Sequence, residues 1–338
     1  MLSWLHKQST PLRLGIILVS LGFLVFFMVF AVGQGSVEIP FKTAWESLVF
    51  CNQDKVTEAI VHNLRLPRIL IAVCAGMALA ASGCILQSVV RNPMADPGII
   101  GVSSGASFVT ILIMMILPQF TNFIPLFSFV GAIVACLIIN ALAFTNGDIL
   151  PTRLVLAGIA VNAIFGAGTS IISVLNSEKL GSVIMWLNGS LVGRTWVDAN
   201  LMIPYVTVGL ILSLIAIPTA NTLQLGDDTA KSLGVNLTRS RILLIGLAAY
   251  LAGVTVSFVG IIGFVGLVIP RISRMLVSSD YKFMLPLSIV LGGLLVLVAD
   301  TCARTLFIPI ELPVGSLISL VGGPFFIYLL RKSRRLGA

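Results

Sequence analysis

Between residues 242 and 269 the chain runs for 28 residues without a single charge. At about 1.5 Å per residue, one helix of that length would measure roughly 42 Å, against about 30 Å for the hydrocarbon core of a bilayer. Further apolar runs cover residues 14–32, 69–86, 99–117, 124–144, 154–175, 201–217, 283–302 and 314–330. Each approaches the roughly 20 residues that a membrane-crossing helix needs. Of 338 residues, 57% are hydrophobic and only 10% are charged. Soluble domains carry about 25% charged residues, and a water-soluble core stops growing long before it could absorb such an excess. The expected fold is therefore all-α and polytopic, a single transmembrane domain over residues 1–338.

The long uncharged stretch, extended to residue 277, is either one strongly tilted helix or two helices with a tight turn. Charge parity separates these. Lys7 and Arg13 lie at one terminus, and Arg331, Lys332, Arg334 and Arg335 at the other. If both termini are cytoplasmic, the number of spans is even, and a break near residues 257–260 gives ten. The inside segments then hold Lys7, Arg13, Arg91, Arg153, Lys231, Arg239, Arg241, Arg271, Arg274, Lys282 and the four C-terminal basic residues. Lys42, Lys55, Arg65, Arg68, Lys179, Arg194 and Arg304 fall outside. This two-to-one excess has the sign of the positive-inside rule. The first run is read as an uncleaved span, because its 19 residues exceed the roughly 7–15 of a signal peptide and no small-residue cleavage site follows.

Several chemistries are excluded. The net charge of +8 comes from scattered basic residues rather than a stripe, so nucleic-acid binding is not expected. The cysteines at 51, 74, 84, 136 and 302 show no paired spacing, and only His6 and His62 accompany them. No metal site, cofactor or disulfide framework is expected. No phosphate-cradling loop with its lysine occurs, and neither a zinc-protease nor a serine-hydrolase motif is present. An enzyme is not expected. The spans hold almost no mid-membrane ionisable residue of the kind ion-coupled carriers use. Energy for uphill transport would come from a partner. Gly101 with Gly105, and Gly260, Gly263 and Gly266, are placed to let helix backbones pack closely.

The longest cytoplasmic connection, residues 221–241, predicts a short amphipathic helix. Leu225, Ala230 and Leu233, with Thr229, would form its apolar side. Asp227 and Asp228 stand at its start, where the helix dipole favours them, and Gly234 stops it. The pattern suits an ordinary connecting helix on the membrane surface, and equally a helix offered to the groove of a cytoplasmic partner.

Residues 64–106 read LRLPRILIAVCAGMALAASGCILQSVVRNPMADPGIIGVSSGA. Further blocks are LGDDTAKSLG at 225–234, GFVGLVIPRISR at 263–274 and ELPVGSLISLVGGPFF at 311–326. In this order they resemble the FecCD family, permease subunits of ABC importers for ferric siderophores, haem and cobalamin. The resemblance runs from about residue 64 to the C-terminus. One departure is Arg271, where several relatives carry histidine.

The resemblance implies a ten-helix permease of the bacterial inner or plasma membrane. Two such subunits would line a path, with two ATPase subunits inside and a substrate-binding protein outside. The coupling segment would comprise Leu225, Gly226, Asp227, Asp228, Ala230, Leu233 and Gly234. The inner gate would fall in residues 146–153, with Pro151 and Thr152 at the constriction, and the outer gate in 182–193, with Met185, Trp186 and Asn188. Arg65, Arg68 and Arg304 would meet carboxylates of the binding protein. A ferric siderophore is the expected cargo, with haem or cobalamin as the alternative. An ion-coupled secondary carrier and a non-transporting membrane scaffold are the competing classes. Whether the second permease subunit is identical stays open. Cysteines introduced at Ser278 and Ser333 are expected to label only from the cytoplasm. External labelling of either in intact cells would contradict the ten-span topology.

Overall fold

The computed structural model describes residues 10–35, 39–50, 55–145, 148–308 and 310–334. Its helices are α1 (Thr10–Gly33), α2 (Phe41–Phe50), α3 (Lys55–Ala59), α4 (Leu66–Val90), α5 (Val102–Ile116), α6 (Ile124–Ala143), α7 (Pro151–Leu175) and α8 (Leu180–Leu187). They continue as α9 (Trp196–Ile215), α10 (Ile217–Gln224), α11 (Asp227–Ser232), α12 (Leu237–Val259), α13 (Val265–Val277), α14 (Tyr281–Thr305) and α15 (Val314–Arg334). A π-helical turn, Ile60–Arg65, joins α3 to α4. Between α6 and α7 a two-residue hairpin pairs β1 (Phe144–Thr145) with β2 (Asp148–Ile149) in antiparallel register, Phe144 opposite Ile149.

Every apolar run of the sequence lies on a helix. Among the described residues, seven helical stretches are long and apolar enough to cross a bilayer: Thr10–Gly33, Lys55–Val90, Pro118–Ala143, Pro151–Leu175, Trp196–Ile215, Leu237–Val259 and Tyr281–Thr305. The apolar lengths Val102–Ile116 and Val314–Tyr328 are shorter, and α13 has 13 residues. The uncharged stretch from residue 242 is broken: α12 ends at Val259, Gly260 takes φ +73°, and α13 starts at Val265. Glycine adopts that backbone conformation at little cost. Its missing Cβ also leaves room for the Trp186 carbonyl, which a side chain at 260 would overlap.

Helix α4 is the hub. Of its apolar window 83% is buried, against 17% for α1 and for α7, which are peripheral. It packs against α14, α12, α9 and α13. Lipid supplies no hydrophobic force between helices, so association rests on close van der Waals contact and interhelical hydrogen bonds. Both are present. A Cβ on Gly76 would overlap the Gly292 carbonyl, one on Gly292 would overlap that of Gly76, and one on Gly83 would overlap that of Gly266. On the neighbouring pair, Gly105 of α5 meets Gly131 of α6 in the same way. The Ser82 hydroxyl donates to the Ala248 carbonyl at 2.6 Å, the Tyr281 hydroxyl to that of Cys84 at 2.9 Å, and Gln87 Nε2 to that of Gly266 at 3.2 Å. These bonds tie α4 to α12, α14 and α13.

Of the glycines expected to pack, Gly101, Gly105, Gly260 and Gly266 do so, whereas Gly263 has open space beside it. Replacing Gly292 with Leu is expected to cost about 3 kcal/mol or more, the upper end of overpacking penalties. Gly246→Leu, with nothing within 4 Å of its Cβ position, is the control. Thermal unfolding in detergent should separate the two variants by many degrees, and equal unfolding temperatures would contradict the close α4–α14 contact.

Candidate functional site

The charged residues gather at the two ends of α4, whose 25 residues place them roughly 37 Å apart. At its N-terminal end Arg68 spreads its guanidinium over two carboxylates. Nε and Nη2 donate to Asp300 Oδ1 at 3.0 and 2.8 Å, and Nη1 donates to Glu311 Oε2 at 2.8 Å. Asp300 is wholly buried, while the Glu311 side chain is 37% exposed. Arg304, one turn on along α14, places Nε 3.7 Å from Asp300 Oδ2. Its Nη1 and Nη2 donate to the carbonyls of Gln34 and Ala31 at 2.9 and 2.7 Å. Arg65 Nη1 donates to the Val32 carbonyl. The last carbonyls of a helix have no partner within it and carry its negative dipole end, so two arginines cap α1.

Of the three arginines expected to meet a binding protein, Arg68 and Arg304 are brought together on Asp300, while Arg65 joins Arg304 at the end of α1. Arg65 and Arg304 are buried, and their guanidinium groups bond to carbonyls of this same chain. They fasten α1, α4 and α14 to one another. The pairing of Arg304 with Asp300 follows from their i, i+4 spacing, but the sequence did not mark Asp300 and Glu311 as partners of Arg68, since Arg68 and Asp300 are 232 positions apart.

At the opposite end stands the expected coupling segment. Gly226 at φ +101° leads into α11, and Gly234 at φ +81° follows its end. Only Ala230 is buried within α11, while Leu225 and Leu233 are 59% and 62% exposed. The two leucines flank the helix and face outward instead of packing on the bundle. Asp228 is exposed. Asp227 is not a helix cap; its Oδ1 accepts from Arg241 Nη2 at 2.7 Å and lies 3.1 Å from Arg91 Nη2. Pro151 opens α7 and Thr152 beside it is exposed. Asn146 and Gly147, in the expected inner gate, lie outside the described residues.

The expected outer gate is α8 and the turn after it. Trp186 is buried, Met185 and Asn188 partly so. Asn188 Nδ2 donates to the Ile184 carbonyl at 2.8 Å, and its Oδ1 accepts from the Ser316 hydroxyl at 3.1 Å. The Ser190 amide donates to the Val259 carbonyl at 2.9 Å. This segment is stitched to the α12–α13 break and to the start of α15. Among the described residues no group of three or more His, Cys, Asp or Glu side chains could hold a metal ion.

The described residues thus form a helical bundle with spans long enough to cross a membrane and ion pairs toward the two ends of α4. The FecCD transport family matches residues 23–332, and the chain belongs to that family of ABC-importer permeases. The Fe(3+)-citrate import system permease protein YfmE of Bacillus subtilis is 36% identical, over 98% of each chain. The hemin transport system permease protein HmuU of Yersinia pestis is 38% identical, over 93% of this chain and 96% of its own. An inward-facing structure of a metal-chelate type ABC transporter superposes with a TM-score of 0.81 at 31% identity, covering 96% of this chain and all of that one.

Asp300→Asn is expected to destabilise the fold by about 3–5 kcal/mol, since it leaves buried arginine charge without its counter-ion. The paired change Asp300→Leu with Arg68→Met should recover only part of that loss, because buried Arg304 still lacks its carboxylate. Unfolding that matches wild type in the single variant would contradict a structural role for this cluster.

Proposed function

We propose that this chain is the membrane-spanning subunit of a binding-protein-dependent importer of ferric chelates, working in a bacterial inner or plasma membrane. Relatives named for Fe(3+)-citrate, iron(3+)-hydroxamate and siderophore transport support that cargo class. Others named for hemin and cobalamin keep those large chelates as the alternative. A ferric siderophore is the specific cargo we favour. On this reading α5, α13 and α15 complete ten spans, both termini are cytoplasmic, and two copies or two sister subunits form the path. The inside face is the end that carries Arg91, Lys231, Arg239 and Arg241, in keeping with the positive-inside rule.

The observation that carries the proposal is the outward display of Leu225 and Leu233 around a short helix held by Ala230 and by the Asp227–Arg241 ion pair. Apolar side chains presented from an anchored helix suit the groove of a partner better than water. We assign that partner as the ATPase, and residues 225–234 as its contact. Pro151 and Thr152 are assigned to the inner gate, and Met185, Trp186 and Asn188 to the outer gate. At the outer end the binding protein would engage the Arg68 corner, where the half-exposed Glu311 is the partner that an incoming carboxylate could replace. An ion-coupled carrier is disfavoured by the lack of ionisable side chains midway along the described spans.

Leu233→Asp is expected to abolish co-purification of the ATPase and to cut uptake at least about tenfold, the effect of losing about 1.4 kcal/mol or more at that contact. Docking of the cargo-loaded binding protein should be unchanged. A deletion strain tested with a panel of labelled ferric chelates, haem and cobalamin should lose uptake of a ferric siderophore. An undiminished ATPase complex would overturn the coupling assignment, and loss of haem or cobalamin uptake alone would overturn the cargo assignment.

A further inference from the structure

One buried guanidinium connects the coupling helix to the inner-gate hairpin. Arg241 lies near the start of α12 with its side chain 1% exposed. Nη2 donates to Asp227 Oδ1, on the first residue of α11, at 2.7 Å. Nη1 donates to Asp148 Oδ2 at 3.0 Å and to the Ile149 carbonyl at 3.1 Å, both on β2. Asp148 is held further by the Thr238 hydroxyl, which donates to its Oδ1 at 3.3 Å. Ile149 is buried beneath it, and Pro151 begins α7 two residues later. Arg91, at the C-terminal end of α4, places a second cation 3.1 Å from the same Asp227 oxygen.

We propose that Arg241 is a positioning residue that transmits movement of α11 through β2 to the start of α7, where the inner gate residues Pro151 and Thr152 lie. The proposal rests on the reading of residues 225–234 as the ATPase contact. Both α11 and β2 lean on α12, and Arg241 bridges the two. The planar guanidinium holds each partner in a fixed geometry, which a flexible ammonium does not. Burial of the guanidinium leaves both interactions less screened by salt than pairs between two exposed side chains. Asp227 and Asp148 are themselves 36% and 27% exposed, so each carboxylate lies at a surface that can shift. Pulling Asp227 with α11 weakens one side of the bridge and frees the guanidinium to follow or to release Asp148. The two-carboxylate bridge thus has alternative arrangements that ATPase binding would bias.

A plainer role is local neutralisation, in which Arg241 only keeps two carboxylates stable. The two roles separate in the ratio of cargo moved to ATP hydrolysed, measured in proteoliposomes holding the complete complex of permease, ATPase and binding protein. Arg241→Lys keeps the charge but not the fork. It is expected to assemble and hydrolyse ATP while cargo per ATP falls about tenfold, within the range that coupling between sites commonly spans. Asp148→Asn, which leaves the Arg241–Asp227 pair in place, should uncouple in the same way. With a cysteine at Thr152, maleimide labelling from the cytoplasmic side should change between nucleotide-free and ATP-bound states in the otherwise wild-type complex, and should stop changing in either variant. Should Arg241→Lys fail to fold, Asp148→Asn alone decides the matter. Wild-type stoichiometry with nucleotide-dependent labelling at 152 in Asp148→Asn overturns the proposal. Failure of the underlying reading shows separately: the ATPase then stays bound to Leu233→Asp whatever Asp148→Asn does.

Discussion

The bilayer offers no water to a charge or to an unpaired backbone group, and the arrangement of this chain follows from that constraint. Carboxylates and guanidinium groups are moved to the ends of the helices, where partners and water can reach them. What remains between is mostly small and apolar, so the helices are held by close contact and a few interhelical hydrogen bonds. Gly76 against Gly292 and Gly83 against Gly266 let α4 approach its neighbours at backbone distance. The spine that results is roughly 37 Å long and carries a charged cluster at each end.

The two clusters differ physically. At the Arg68 end the central carboxylate, Asp300, is fully buried, and two further arginines cap the carbonyls of α1. Moving any member leaves buried charge uncompensated, so this end is a rigid seam. At the Arg241 end the guanidinium is buried but both carboxylates reach the surface, one on a short helix and one on a two-residue strand. Neither element spans the membrane. This end has the looser construction, and on the proposed reading it is where the ATPase acts.

Much of the fold was legible in the sequence because lipid imposes one simple rule on composition. Each apolar run became a helix, and the division of the stretch from 242 to 277 fell at Gly260. The glycine pair at 101 and 105 packs as its spacing implied. Other features carried no local signal. Arg65 and Arg304 bond to main-chain carbonyls of α1, and a carbonyl acceptor leaves no mark in a sequence. The strands Phe144–Thr145 and Asp148–Ile149 flank Asn146–Gly147, a turn signal that a reading by apolar runs passes over. Leu225 and Leu233 were read with Ala230 as one apolar side, but only Ala230 turns inward. A pattern with a few apolar positions does not say whether the bundle or a partner is to cover them. Among the described residues seven spans meet the length criterion; α5 and α13, with 15 and 13 residues, are too short for it, and helix length is not set by the apolar run alone.

On the proposed reading this bundle is driven by ATP from its Arg241 end and not by an ion gradient. The direct measurement is cargo accumulation in proteoliposomes that contain the permease, its binding protein and its ATPase. With ionophores collapsing every ion gradient, the account predicts accumulation on addition of ATP and none without it. Accumulation driven by a proton or sodium gradient in the absence of ATP would contradict it.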